Sequence, residues 1–403
     1  MNVFLRTHKT NIIHADGNPV FLRGVNLGGW LMMEAYFLHA LNRPVQHLKK
    51  SFVQCLGQEA WQDFEENFRG NFIRETDIQN IAGLGFNCIR LPFHYRLIEK
   101  KPFQYDTTGL RILDKVIRWV EKYKVWVVLD LHGAPGSQNH DWHSDSDGRA
   151  DLWTKKKNQE RTIELWAFLA DRYKNKKCIA GYDLLNEAVL GDAAQLNNFY
   201  KELIRQIRQV DKQHILFVEG NQWATNLECL DPIDDDNHVL SIHYYEPVEF
   251  TFNAVPHLRY PLKAYGRNWD MKSMKAHLSK YQKISRDRSV PIFVGEFGVN
   301  ARWENSGEER WLEDALSCFE AFGFHWTYWT YKAVKNSVFP DGLFSYVENP
   351  PWVNRLGSVI GWDTYKFHWT TRKKEMIQSW RTENFLEHAY LLKVLQKYAR
   401  VHH

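Results

Sequence analysis

The chain is 403 residues long, 44% hydrophobic and 25% charged, which excludes whole-chain disorder and leaves a large single-domain enzyme or two ordinary domains. Its 52 basic and 48 acidic residues nearly balance at a net charge of +4, a poor match to a polyanion-binding surface, so no nucleic-acid partner is expected. Aromatic residues reach 15%, more than core packing usually demands.

In chain order, a hairpin over 3–13 with a turn at Ala15-Asp16-Gly17-Asn18 is expected first, closing the bottom of whatever follows. Eight β-rich runs then succeed one another at 21–26, 86–92, 125–132, 179–187, 214–220, 239–246, 291–298 and 324–332. Helical spacing appears between them at 75–84, 109–123, 159–173, 194–210, 274–286 and 308–322, with a last helix over 375–398. Eight alternating β and α units predict an α/β fold, a (β/α)8 TIM barrel, with no linker or composition shift, so a single domain over 1–403 is expected. The stretches 30–69, 247–271 and 335–371, rich in rings and poor in periodicity, read as long loops on the top face. Lys155-Lys156-Lys157 and Arg372-Lys373-Lys374 read as solvated faces.

No apolar run is long enough for a membrane span, and the amino-terminal segment lacks a signal-peptide pattern, so a cytoplasmic location is expected, or a secreted one where a signal has been removed. The five cysteines lie far apart with no CxxC pair and read as buried or half-buried free thiols. Nucleotide-binding glycine motifs, HExxH and GxSxG are missing, and no cofactor or metal is expected. A metal set built on His132, His140, His143 and Asp145 is the weaker alternative to that expectation.

A (β/α)8 barrel builds its site at the carboxyl ends of its strands. Those ends carry Arg90, Asp130 with His132, Asn186-Glu187, His243 with Tyr245, Glu296 and Trp329. Glu187 and Glu296 fall on strands four and seven, facing each other across the mouth, as glycosidic bond cleavage requires of its two carboxylates. Arg90 and Tyr245 are expected to keep one carboxylate ionised while a less polar setting keeps the other protonated. Trp329 offers a flat face to a sugar ring.

The runs FLRGVNLGGWL (21–31), NCIRLPFHY (87–95), VVLDLHGAPGSQN (127–139), DLLNEA (183–188), IHYYE (242–246), VGEFGV (294–299) and YWTYK (328–332) resemble glycoside hydrolase family 5, in its exo-β-1,3-glucanase and β-glucosidase-like branch. The resemblance implies a retaining β-glycosidase in which Glu187 is the acid/base and Glu296 the nucleophile. It implies that Arg90 and Tyr245 position Glu296, Asn186 bonds the sugar 2-hydroxyl, His132 meets a hydroxyl, His243 orients Glu187 and Trp329 is the platform. Glu34 would grip the terminal sugar, and Asp141 is a weaker match to a second pocket-closing acid, in a loop one residue short of the usual pattern. Ala188, where most relatives carry proline, leaves the substrate open.

The expected substrate is a β-glucoside or β-glucan oligosaccharide. An endo-β-glucanase or glycolipid glycosidase is the same-chemistry alternative, and a non-catalytic sugar-binding barrel the alternative outside the class. The excess rings are expected around the mouth, at Trp30, Tyr36, Trp142, Trp153, Trp223, Tyr244, Trp303, Trp329 and Trp352.

Overall fold

The continuous apolar runs become strands buried on both faces, as parallel barrel strands must be. In the computed structural model, which describes residues 3–38, 42–264, 266–302, 305–333, 338–345 and 362–400, eight of them close into one barrel. They are β1 (Arg23–Asn26), β2 (Cys88–His94), β3 (Trp126–Gly133), β4 (Ile179–Asp183), β5 (Ile215–Glu219), β6 (His238–Tyr244), β7 (Ile292–Phe297) and β8 (His325–Tyr328). All eight neighbouring pairs are parallel, β8 returning to β1. The (β/α)8 architecture read from the sequence is the one observed.

Register decides which polar groups meet. Asn26 lies opposite Arg90, Asp130 opposite Asp183, Ser241 opposite Glu219 and His243 opposite Glu296, so the polar strand ends form one level. Below it, Leu5, Ile12, Val20 and Leu22 from the amino-terminal segment pack with Cys88, Trp126, Phe217 and Phe293 and seal the barrel bottom. The hairpin there turns at Lys9, pairing Arg6–His8 with Asn11–Ile13. The turn through Asp16 is a second one, closed by His14 N–H on Asn18 O at 2.9 Å.

The six expected barrel helices are present as Glu75–Gly83, Thr107–Tyr123, Lys156–Tyr173, Ala193–Val210, Met271–Arg288 and Glu308–Phe322. Side chains start several of them: Asp106 accepts from Thr108 N–H and Asp192 from Ala194 N–H. Three expectations need correction. Residues 30–69 are no bare loop but carry helices Val45–Leu56 and Gln58–Asn71, whose Phe52, Trp61, Phe64 and Phe68 are buried at helical spacing. The stretch 247–271 holds a helical turn, Val248–Thr251, and a small hairpin, Leu262–Ala264 with Arg267–Trp269.

The carboxyl-terminal helix is two helices, Trp362–Ser379 and Ala389–Ala399, separated by a short strand, Leu386–Glu387, paired with Phe344–Ser345. Just past the end of the first helix the buried Lys332 ammonium donates to Trp380 O (2.8 Å) and Thr382 Oγ1 (2.9 Å). Of the expected loop 335–371, positions 335–337 and 346–361 lie outside the described residues, and 362–371 is helix rather than loop. All five cysteines are free; Cys88, Cys178 and Cys318 are buried and Cys229 partly so, while Cys55 is exposed, against expectation. Among the described residues no helix is long and apolar enough to cross a membrane.

Candidate active site

Above the polar level the mouth encloses a cavity of about 540 Å³, within the usual range of small-molecule sites. At its base lies Arg90, fully buried. Its guanidinium spends all its donors on the strand ends: Nε on Asp183 (2.8 Å), Nη1 on Glu296 (2.7 Å) and Asn26 (3.2 Å), Nη2 on Glu219 (2.9 Å) and Asn186 (2.9 Å). Asp130 is also 3.1 Å from Nη2. A planar, permanently charged fork suits this task better than an ammonium.

Glu296, at the end of β7, accepts from Arg90 on Oε1 and from the Tyr245 hydroxyl on Oε2 at 2.9 Å. Glu187 sits just past β4 with a left-handed backbone (φ 49°), held there by its own N–H on Glu219 (2.6 Å) and by Asn139 on its carbonyl (2.9 Å). Left-handed backbone at a bulky residue is costly, and at functional sites it aims a side chain. His243 Nδ1 lies 2.7 Å from Glu187 Oε1 and 3.5 Å from Glu296 Oε2, and each pair among these three side chains has ligand atoms within 4.8 Å.

The charge balance differs from the sequence expectation. Burial pushes Glu296 up, and Glu187's charge adds to this against the pull of His243 and Arg90. Burial would raise Glu187 too, but hydrogen bonding and charge from His243, with His143 and His132 beyond, outweigh it and hold Glu187 down at about 2. His243 itself is raised: burial opposes its charge, and the carboxylates Glu296, Glu219 and Glu187 overcome that opposition. The two carboxylates are thus set apart by their distance to one imidazolium rather than by Arg90 and Tyr245.

The other expected residues gather as follows. His132 bonds Asp130 at 2.7 Å, lies 3.5 Å from Glu34 and stacks on Trp329 with ring centroids 5.3 Å apart. Burial opposes its charge, but Asp130 and Glu34 prevail and lift it to about 10. Asn186 gives its oxygen to Arg90, leaving its amide facing His132 Nε2 at 3.5 Å. Glu34 is buried, lines the cavity and has no hydrogen-bond donor on Oε1 among the described residues. Trp329 forms one wall, its indole N–H on the Tyr36 hydroxyl at 2.6 Å.

Asp141 stands at the rim, accepting from the Trp223 indole at 2.8 Å. The alternative metal set is not brought together. Asp145 turns away to Arg96 and His94, His140 is exposed, and His143 lies between Asp141 and Glu187, 3.6 Å from each.

Sequence reasoning missed Glu219, which bonds Arg90 and the Glu187 backbone and lies 3.2 Å from His243. It ends β5 as Glu296 ends β7, so the same signal was present. Asp183 and His143 were also missed as site residues. Of the nine rings expected at the mouth, Tyr36, Trp142, Trp223, Tyr244 and Trp329 line the cavity. Trp30 and Trp153 are core residues bonded to Arg69 O and Gln138 O. Trp303 and Trp352 lie outside the described residues. Many further rings pack away from the mouth, as Phe64, Phe68, Trp369 and Trp380 do among the added helices.

The glycines of LGGW tie the platform to β1. A Cβ on Gly28 would stand 2.9 Å from the Trp329 ring and 2.8 Å from Phe37, and Gly29 has φ 69° with Phe37 carbons at 2.3 Å from such a Cβ. Gly28→Ala is expected to displace Trp329 and lower kcat/KM on an aryl β-glucoside about tenfold or more. Steady-state kinetics beside a thermal melt checks this, and unchanged kinetics would mean the ring is not held by Gly28.

A closed eight-stranded barrel with two facing glutamates in a ring-lined mouth defines a carbohydrate-active hydrolase. The chain belongs to glycosyl hydrolase family 5: the Cellulase (glycosyl hydrolase family 5) model matches residues 51–335. It is 34% identical over 346 residues to a β-xylosidase of Phanerodontia chrysosporium, covering 82% of this chain and 71% of that one. It is 30% identical over 373 residues to a probable glucan 1,3-β-glucosidase A of Aspergillus fumigatus, covering 80% and 88%. Endoglucanase Cel5A of Thermotoga maritima shares the fold, with a TM-score of 0.62 at 20% identity, covering 93% and 96%. The protein is therefore a glycoside hydrolase.

Proposed function

We propose that the protein is a retaining β-glycosidase that removes single glucosyl units from the ends of β-glucosides or short β-glucans. The observation that carries this reading is that Glu187 and Glu296 each bring a carboxylate oxygen to within 4.8 Å of the other's, which suits the short spacing of a retaining pair better than the wider one that inversion uses. Glu296 then attacks the anomeric carbon while Glu187 gives its proton to the departing oxygen. Glu187 next takes a proton from the water that cleaves the glycosyl ester. The 2.7 Å contact between His243 and Glu187 provides the proton. When a sugar replaces water in the mouth, a neutral acid beside a neutral imidazole costs less than the buried ion pair. His132, Asn186 and Glu34 supply polar contacts to the sugar, and Trp329 its apolar wall.

Action at chain ends is supported by the wall behind Glu34 and Trp329. There Tyr36, Trp142 and Phe339 pack on one another with centroids 5.2 to 5.9 Å apart. The test is product analysis on β-1,3- and β-1,4-linked glucose oligomers and on aryl glucosides and xylosides, with NMR of the first anomer released. Glucose alone, released as the β-anomer, is expected. A ladder of oligomers would overturn end-on action, an α-anomer would overturn retention, and faster xyloside turnover would overturn the choice of sugar.

A further inference from the structure

A second cavity, of about 320 Å³, lies beside the segment that follows β1 and shares no lining residue with the mouth. Leu31 and Met33 line it, whereas Glu34 and Tyr36 line the mouth. Its other walls come from the segment after β2 and from the two helices over 45–71. Val45 and Lys49 stand four residues apart on the first of these helices, as do Trp61, Glu65 and Arg69 on the second, so each helix gives the cavity one stripe.

Charge in this cavity is unbalanced. Each of its three carboxylates already holds a cation from the same walls: Glu65 takes Arg69 Nη2 at 2.7 Å, Glu99 takes Arg161 Nη2 at 2.6 Å, and Asp145 takes Arg96. Three lysines remain. Lys100 reaches only Asp106, at 3.7 Å, while Lys49 and Lys101 are exposed and pair with no carboxylate among the described residues. His94 adds no charge at neutral pH, because burial holds its imidazole below the ordinary range against the pull of Asp145.

Two donors in the wall are also without an acceptor. The indole N–H of Trp61, a residue only 2% exposed, and Nε of Arg69 have no hydrogen-bond partner among the described residues. A buried donor left unsatisfied is costly, and an acceptor brought from outside answers that cost. Burial works against the Arg69 charge as well, and Glu65 and Glu66 offset this only in part. Met33, Tyr95 and Pro102 add apolar surface beside these groups.

We propose that this cavity is a binding site for a small organic phosphate, its dianion held by Arg69, Lys49 and Lys101 and its body resting on Met33, Trp61 and Tyr95. Two unpaired lysines and one half-neutralised guanidinium suit a dianion better than a single carboxylate, and charge-assisted hydrogen bonds to phosphate are the stronger kind. The volume falls at the small end of the range for such ligands. Occupancy does not depend on which bond the mouth cleaves.

The test is isothermal titration of the whole chain with phenyl phosphate, and with inorganic phosphate and benzoate for comparison, at about 0.15 M salt, where long-range attraction is screened. Phenyl phosphate is expected to bind at one site, more tightly than either of the others. Arg69→Gln, and the paired exchange Lys49→Gln with Lys101→Gln, should each weaken it about tenfold or more. The lysine pair lies on the surface and decides the matter if Arg69→Gln does not fold. Trp329→Ala, in the mouth, should leave the affinity for phenyl phosphate unchanged.

No saturable binding, or an affinity indifferent to the lysine pair, would overturn the site. Weaker binding in Trp329→Ala would move the anion to the mouth. Inorganic phosphate binding as tightly as phenyl phosphate would remove the organic body from the proposal, and benzoate doing so would replace the dianion by a carboxylate.

Discussion

Glu296→Gln is expected to lower turnover of an aryl β-glucoside about 10⁴-fold or more while leaving the thermal midpoint nearly unchanged. Glutamine keeps the volume, and its one carbonyl oxygen can still accept from Arg90 while its NH2 donates to the Tyr245 oxygen, but it offers no anionic oxygen to the anomeric carbon. Loss of rate alone does not separate the roles of the two carboxylates, and the charge balance makes that separation worth testing, since Glu187 is held down and Glu296 pushed up. Alanine variants with added azide decide it. In Glu296→Ala the anion attacks the substrate directly and gives the α-glycosyl azide. In Glu187→Ala it attacks the glycosyl enzyme and gives the β-azide. Products of the opposite configurations would exchange the two roles, and near-normal turnover by Glu296→Gln would remove this residue from the chemistry.

That the two carboxylates face each other was legible in the sequence because parallel strands buried on both faces read as unbroken apolar runs, so a charged residue ending such a run is conspicuous. Glu187 and Glu296 are of this kind. Glu219 is too, yet it serves Arg90, His243 and the Glu187 backbone, a role no strand-end pattern distinguishes from catalysis. What pattern could not supply was distance. The order of acid strengths depends on His243 lying nearer to Glu187 than to Glu296, at 2.7 against 3.5 Å.

Backbone devices were hidden for a related reason. The left-handed turn at 222–224 contains no glycine, and the break after Ser379 is met by Lys332, some fifty positions earlier in the chain, whose ammonium binds Trp380 O. The helices over 45–71 were legible in principle: Trp61, Phe64, Phe68 and Phe72 recur every three to four residues, and the abundance of rings drew attention to the mouth instead.

Arg90→Met is expected to be the most damaging single change to stability. The guanidinium is enclosed by Asp130, Asp183, Glu219 and Glu296, all within 3.1 Å and all buried, and methionine fills much of its volume without its charge. Removing one partner of a buried ion pair typically costs about 3–5 kcal/mol because the other stays buried and uncompensated, and here four carboxylates are left to repel one another. The sign of the pH dependence follows. Asp183 is already pushed well above the ordinary carboxylate range by burial and by the charge of Glu219, and losing the cation raises the cluster further. A carboxyl raised in the folded state takes up protons more readily folded than unfolded, so its contribution to stability falls as pH rises. The deficit of Arg90→Met relative to wild type should therefore be larger at pH 8 than at pH 5, when unfolding is followed in denaturant by tryptophan fluorescence. Arg90→Lys, which keeps a charge but cannot reach all the oxygens, should fall between the two. A deficit that is absent, or that grows as the pH is lowered, would show that the carboxylates are not held ionised by Arg90.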